Sequence, residues 1–358
     1  MKTNNVLVAP LNWGLGHATR VIPIIDRLIK NNFSVIIAGD GMALDFLKKE
    51  YPKLKCIKLP DVNIVYSKKH VFFRIFLQIP KIILNTIIEH YRIKSIIKKY
   101  QVDVIISDNR FGLWNKGTIN ILIIHQLRLA LPKKLSLLKP IYPTILKKIV
   151  KNFKMCWIPD FSGDFNLSGC LSHDVNKIHN KHFIGVISRF ERYLSETKSD
   201  KKYDLLFILS GPEPQRTIFE KIILNQIKNK SLRIALVRGI TDKEKIDTRA
   251  DVFGVLTAKR LFYLIQQSKQ IICRAGYSSI MDMYIAQAQA ILVPTPGQTE
   301  QEYLAAYLKQ KKYFYSVSQQ KFNLESAIKE SEGYVPPEYN GGNNLLDEEV
   351  SKLKLLLQ

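Results

Sequence analysis

Two hydrophobic rhythms alternate along this chain. Runs of five or six apolar residues, the length of a buried strand, are followed by segments in which apolar residues return every three or four positions. Val6–Pro10 is the first such run. Val21, Ile24, Ile25, Leu28 and Ile29 then share one helical face, and Ser34–Ala38 is a second strand closed by Gly39-Asp40-Gly41. A helix over Ala43–Lys49 and strands near Leu54–Leu59, Val102–Ser107 and Ile119–Ile124 continue the order. After a loop-rich zone at Pro159–Asn180 the pattern restarts. Strands are predicted at Tyr203–Leu209, Leu232–Val237, Gln270–Cys273 and Ala290–Val293. Helices are predicted at Glu213–Lys228, Ala258–Gln267, Ser279–Gln287 and Thr299–Gln310, with an amphipathic tail helix at Leu345–Leu357. Fully apolar strands alternating with helices call for parallel sheets covered on both faces. The reading is therefore α/β, with two doubly wound Rossmann-like halves, 1–185 and 186–358.

Composition adds a partner class. The 358 residues carry a net charge of +23, and the excess is local. From Lys68 to Lys154 there are 18 Lys and Arg against three acids, Glu89, Asp103 and Asp108. Within this segment Phe72, Phe73, Ile75, Phe76, Leu77, Ile79, Ile82, Ile83 and Leu84 are flanked or interrupted by Lys68, Lys69, Arg74 and Lys81. Cations set among apolar residues suit an anionic membrane surface, whereas a spanning helix would carry Arg74 and Lys81 near its centre at a cost. No nucleic-acid module is present, so nucleic acid is not an expected partner. There is no secretory h-region, and the four scattered cysteines show no metal-ligand spacing. A cytoplasmic protein, peripheral on the inner face of the cell membrane, is expected.

Three turns concentrate the chemistry. Gly14-Leu15-Gly16-His17 stands at a strand-to-helix turn, where glycines let a ligand approach the backbone and the helix N-terminus favours anions. The same N-terminus disfavours imidazolium, so His17 is a candidate general base. Cys273-Arg274-Ala275-Gly276-Tyr277-Ser278-Ser279 opens a second helix, with Ser278 or Ser279 available to cap it. Asp282, four residues beyond Ser278 on the same face, can accept from two vicinal hydroxyls such as those of a ribose. Pro294-Thr295-Pro296-Gly297 is a stiff turn followed by Gln298, Thr299, Glu300, Gln301 and Glu302, a density of polar groups suited to a sugar or ribose. Thr299 with Glu302 alone could form a capping box.

The segments CRAGYSSIMDM and VPTPGQTEQEYLAA, together with GLGHATR, SGP at Ser210–Pro212 and FIGVISR at Phe183–Arg189, resemble glycosyltransferase family 28. That family includes the UDP-N-acetylglucosamine transferase that makes the lipid intermediate of peptidoglycan. The resemblance implies a GT-B fold, two Rossmann-like domains facing each other across a cleft. It implies an inverting, metal-independent transferase that uses no cofactor. The enzyme would move N-acetylglucosamine or another hexose from a UDP-sugar to a lipid-linked or membrane-associated acceptor of the cell envelope. His17 would deprotonate the acceptor. Gly14 and Gly16 would flank the donor phosphates, and Arg189, Ser210 and Gly211 would hold the diphosphate. Backbone at Val255 and Leu256 would read uracil. Arg274, Gly276 and Ser278 lie in the donor turn, Asp282 would hold the ribose where the family more often has Glu, and Gln298, Glu300 and Gln301 would contact ribose and sugar.

The chain also departs from the pattern. Asn12-Trp13 replaces further glycine, Pro212 has no N–H to donate, and the acceptor-side segments SDNRFG and HQLRL differ from the peptidoglycan enzyme's. Asp108 and His125, within those segments, are the acceptor-side candidates. A UDP-sugar 2-epimerase on the same plan, or an inactive membrane-docking subunit, are the alternative functions.

Overall fold

The structure, a computed structural model, describes residues 4–60, 71–130, 141–173, 178–196, 200–240, 248–341 and 344–358, with backbone alone for 71–77. It contains two compact units. The first comprises 1–65, 73–188 and 341–358; the second comprises 66–72 and 189–340.

The first unit is built on seven parallel strands: β1 (Asn5–Pro10), β2 (Ser34–Gly39), β3 (Lys55–Lys58), β4 (Val102–Asp108), β5 (Ile119–Ile123), β6 (Met155–Ile158) and β7 (Lys181–Phe183). Their order is β3-β2-β1-β4-β5-β6-β7. Four helices of this unit come from the first half of the chain: α1 (Leu15–Lys30), α2 (Gly41–Glu50), α3 (Val71–Tyr100) and α4 (Ile141–Val150). Val6 to Ala9 and Val104 to Ile106 are fully buried, as an apolar strand covered on both faces must be. On α1 the predicted face is buried at Val21, Ile24, Ile25 and Leu28, but Ile29 is 42% exposed.

The second unit repeats the plan with six parallel strands. They are β8 (Tyr203–Ile208), β9 (Ile234–Val237), β10 (Asp251–Phe253), β11 (Ser268–Cys273), β12 (Ala290–Leu292) and β13 (Tyr315–Ser316). Their order, β10-β9-β8-β11-β12-β13, is the first sheet's with one strand fewer. The helices are α5 (Gln215–Ile227), α6 (Ala258–Gln266), α7 (Tyr277–Ile285), α8 (Thr299–Gln310) and α9 (Leu324–Glu330). In each sheet the order reverses between two central strands, β1 and β4 in one, β8 and β11 in the other. Ligands of open α/β sheets collect beyond the carboxyl ends of the strands at such reversals.

The tail helix, α10 (Asn344–Leu355), corrects the expected division of the chain, because it belongs to the first unit. Its Leu346, Val350 and Leu353 are fully buried, and each such side chain contributes about 1.5–3 kcal/mol on leaving water. Glu349 accepts from the Trp157 indole at 3.3 Å and pairs with His182 at 3.0 Å, and Asp347 pairs with Arg27 at 3.3 Å. An amphipathic pattern says that a helix packs, not what it packs on.

Candidate active site

In the first unit the glycine turn leaves β1 and opens α1. Gly14 stands at the N-cap with φ +75°, a left-handed conformation that glycine adopts without strain, and no side chain caps the helix. The preceding loop is tied down from below. Asn12 donates to Asp40 at 3.2 Å and accepts from the Ala43 N–H at 3.3 Å. Asp40 pairs with the buried Arg110 at 2.5 Å, and Arg110 also holds Glu89 at 2.6 Å. Asn12, which departs from the family's glycine, is thus a brace.

His17 follows one turn into α1, with 12% of its side chain exposed. Its Nδ1 lies 3.1 Å from Oδ2 of Asp108, the last residue of β4, and 2.8 Å from Nη2 of Arg20. Its Nε2 has no hydrogen-bond partner among the described residues and is not among the polar atoms sealed from solvent. Arg20 is the centre of the cluster. Its Nε donates to Asp108 Oδ2 at 2.7 Å, its Nη2 donates to Oδ1, and its Nη1 lies 2.8 Å from Nδ1 of His125. Burial lowers the affinity of His17 for a proton; the Asp108 carboxylate opposes that effect and the Arg20 cation adds to it, leaving the value below an ordinary histidine's. Burial pushes the Asp108 carboxyl up, but Arg20 and His17 outweigh it and hold the group at about 2.

Asp108 and His125 were expected on the acceptor side. Both are buried, at 0% and 5% exposure, and their side chains are engaged within this cluster. The Asp108 carboxylate lies against His17 Nδ1 and the Arg20 guanidinium. Arg20 was not singled out in the sequence. The available signal was its spacing: three residues past His17, it shares that residue's helical face.

In the second unit Ser210 and Gly211 follow β8, and Gly211 has φ +97°. A Cβ there would come within 3.5 Å of the Thr295 hydroxyl, so the turn after β8 lies against the turn after β12. That hydroxyl is buried and without a hydrogen-bond partner. Gln301 accepts from the Thr295 N–H at 2.9 Å and donates to Gln298, while Glu302 accepts from the Gly297 N–H at 2.9 Å. The glutamines therefore clasp the proline turn, and the alternative of a Thr299–Glu302 capping box is not realised: Gln298 stands at the N-cap, with no side-chain cap. The α7 N-cap is Gly276, also without a side-chain cap, so neither Ser278 nor Ser279 serves as one. A Cβ on Gly276 would stand 3.9 Å from the Gln301 amide nitrogen, which places these two expected donor residues together. An uncapped helix start presents N–H groups to an anion.

Arg189 meets Asp282 at 3.1 Å, with both side chains largely buried. Residues expected to hold diphosphate and ribose are thus paired with each other. Val255, 43% exposed, and Leu256 lie between β10 and α6, and Glu300 is half-buried in the first turn of α8. Arg274 differs from expectation. It is 1% exposed and donates to the carbonyls of Val293 at 3.2 Å and Gln215 at 2.9 Å and to the Gln319 side chain at 2.7 Å, over the Phe219 ring. It braces the donor turns from behind.

Residues 207–335 match the glycosyltransferase family 28 C-terminal domain. No curated protein matches the chain. Among solved structures, UGT2 of Phytolacca americana, complexed with UDP-2fluoro-glucose and pterostilbene, is similar at 15% identity and TM-score 0.65, covering 98% of this chain and 99% of that one. MurG of Acinetobacter baumannii is similar at 11% identity and TM-score 0.53, covering 99% and 95%. The kitacinnamycin glycotransferase is similar at 11% identity and TM-score 0.62, covering 100% and 95%. At such identities the likeness speaks for the fold, and the family match covers the second unit's site-bearing turns. The chain is a glycosyltransferase of the GT-B fold, and its residues 207–335 match the family 28 C-terminal domain.

Proposed function

We propose that the protein is an inverting, metal-independent transferase that moves a hexose from a UDP-sugar to a hydroxyl of a lipid-linked or membrane-associated acceptor. The observation that carries this reading is His17, with Nε2 open and Nδ1 against the buried Asp108 carboxylate. The acceptor O–H gives its proton to Nε2, and its oxygen bonds to the sugar's anomeric carbon. The bond from that carbon to the diphosphate breaks on the opposite face, and UDP leaves with the electron pair. Asp108 accepts from Nδ1–H and stabilises the imidazolium. A positioned base of this kind contributes about 10²–10⁴-fold. The lowered proton affinity of His17 keeps its ring neutral at physiological pH, as a base requires.

Donor binding is assigned to the second unit. Its uncapped α7 start, Arg189 and the Ser210–Gly211 turn suit a diphosphate, and Asp282 suits a ribose diol. UDP as the nucleotide rests on the resemblance and on the Phytolacca protein's bound UDP-2fluoro-glucose. Gln298, Glu300 and Gln301 would face ribose and sugar.

The membrane-associated acceptor is supported by α3. Ile79, Ile83, Leu84, Ile87, Ile88 and Tyr91 form an exposed stripe on it, each between 40% and 67% accessible. Exposed Arg92, Lys94, Lys98 and Lys99 follow, and on α4 exposed Ile141 and Ile145 precede Lys147 and Lys148. An apolar stripe ending in cations suits the boundary between headgroups and acyl chains. Among the described residues no helix is long and apolar enough to cross a membrane. Lys68 and Lys69, and the side chains of Phe72, Phe73 and Phe76, lie outside the described residues. A place on the cytoplasmic face of the cell membrane and a role in the cell envelope follow from this reading.

The test is a panel of nucleotide sugars, first for thermal stabilisation and then for UDP release with and without a membrane-lipid extract. UDP-sugars should stabilise, and release should require the extract. Sugar interconversion without any acceptor would replace this reading with an epimerase.

A further inference from the structure

The two contacts at Nδ1 of His17 make opposite demands. A guanidinium only donates, so the 2.8 Å contact with Arg20 Nη2 requires a bare lone pair on Nδ1. The 3.1 Å contact with the Asp108 carboxylate requires a proton there. In a neutral imidazole these are different tautomers. With the proton on Nε2 the outward nitrogen has no lone pair and cannot act as a base. With the proton on Nδ1 the outward nitrogen is free to take one.

The shorter contact is the one to Arg20, and Arg20 is itself held in place. Its side chain is 2% exposed, and it bonds both oxygens of Asp108. Its third arm meets Nδ1 of His125, which can only accept from it. The guanidinium therefore cannot swing away from the ring without breaking contacts on two other elements, β4 and the loop after β5.

We infer that Arg20 is a positioning residue that holds resting His17 in the tautomer with its proton on Nε2, so that the base is withheld until that proton shifts to Nδ1. Resting on the reading of His17 as the base, this makes turnover depend on an exchange at Nδ1. The ring nitrogen leaves its bond to the guanidinium and donates to Asp108, while Arg20 keeps its bonds to the carboxylate. The groups facing the ring are Arg20 from α1, Asp108 from β4 and His125 from the loop after β5. Of these, Arg20 alone opposes a proton on Nδ1 by geometry.

The test is long-range ¹H–¹⁵N spectroscopy of the histidine side chains in the uniformly labelled full chain, with His17 assigned from the signals lost in His17→Gln. In the wild type, Nε2 of His17 should carry the proton and Nδ1 should appear bare. Arg20→Lys keeps the charge but loses the fork, and should move the proton to Nδ1. Arg20→Gln leaves the Asp108 carboxylate as the dominant charge, and should also raise the His17 titration midpoint by about one to three units. If Arg20→Gln loses the native amide spectrum, the wild-type tautomer and Arg20→Lys decide the matter. A wild-type proton on Nδ1, or a wild-type tautomer retained in a folded Arg20 variant, would overturn the inference. The readout does not involve turnover. If His17→Gln keeps full transferase activity, it is the base assignment that fails.

Discussion

Asp108→Asn isolates the electrostatic centre of the first unit. The change preserves shape and removes one charge from a carboxylate that is fully buried and bonded on both oxygens by Arg20. The folded-state value of about 2, against an ordinary value near 3.9, means that the surroundings favour the ionised form by about 2–3 kcal/mol. The amide also leaves the Arg20 cation buried without its counter-ion, and breaking a buried pair costs about 3–5 kcal/mol. The two figures describe one interaction, so the expected loss is about 3–5 kcal/mol at pH 7. The assay can be confined to the affected unit. All three tryptophans, Trp13, Trp114 and Trp157, lie in the first unit, so urea unfolding followed by tryptophan fluorescence reports on it alone. Because the folded-state value of Asp108 is depressed, its contribution is fully present above pH 4 and disappears as pH falls towards about 2. The gap between wild type and variant should close over that interval. A variant within about 0.5 kcal/mol of wild type at pH 7 would refute the reasoning, since that is the range of an ordinary surface change.

Other outcomes can be checked as directly. His17 binds a proton less readily in the folded chain than in the unfolded one, so tryptophan-detected stability should already decline as pH falls through the ordinary histidine range, and His17→Gln should flatten that part of the slope. Asp282→Ala should weaken UDP binding about tenfold or more by calorimetry, the worth of a hydrogen bond to a charged group, with the second unit still folded. The full chain should sediment with anionic vesicles at low salt and be released as salt rises. Changing Ile83, Leu84 and Ile87 to Ser should weaken that binding, whereas equal sedimentation of the variant would detach the α3 stripe from the membrane.

Periodicity and turn chemistry are local, and what is local was legible. The strands β1, β2, β8 and β11 and the glycine turns at Gly14 and Gly276 lie within a few residues of where the pattern puts them. The tertiary partners were not legible. Arg20 and Arg110 bond carboxylates 88 and 70 residues away, and an isolated arginine in a sequence gives no sign of such a match. Arg274 read as a ligand-binding cation for the same reason, although its partners are carbonyls and a glutamine on α5, the β12–α8 turn and the segment after β13. Asp108 read as an acceptor-side candidate from its place in SDNRFG; its carboxylate is bonded by Arg20, a partner that the sequence does not reveal. The long α3 was seen as an apolar and basic segment, but its exposed stripe emerges only once Glu89, Ile93 and Ile96 are known to face inward.

The central claim is that His17 activates an acceptor hydroxyl for attack on a UDP-sugar. It is tested most directly by following radiolabel from a stabilising UDP-sugar into the lipid fraction of a membrane extract, with wild type and His17→Ala compared at equal donor occupancy. The account predicts labelled lipid with wild type and a rate lower by about 10²–10⁴-fold with the variant, whose donor affinity is unchanged. Label transfer by His17→Ala at the wild-type rate would contradict it.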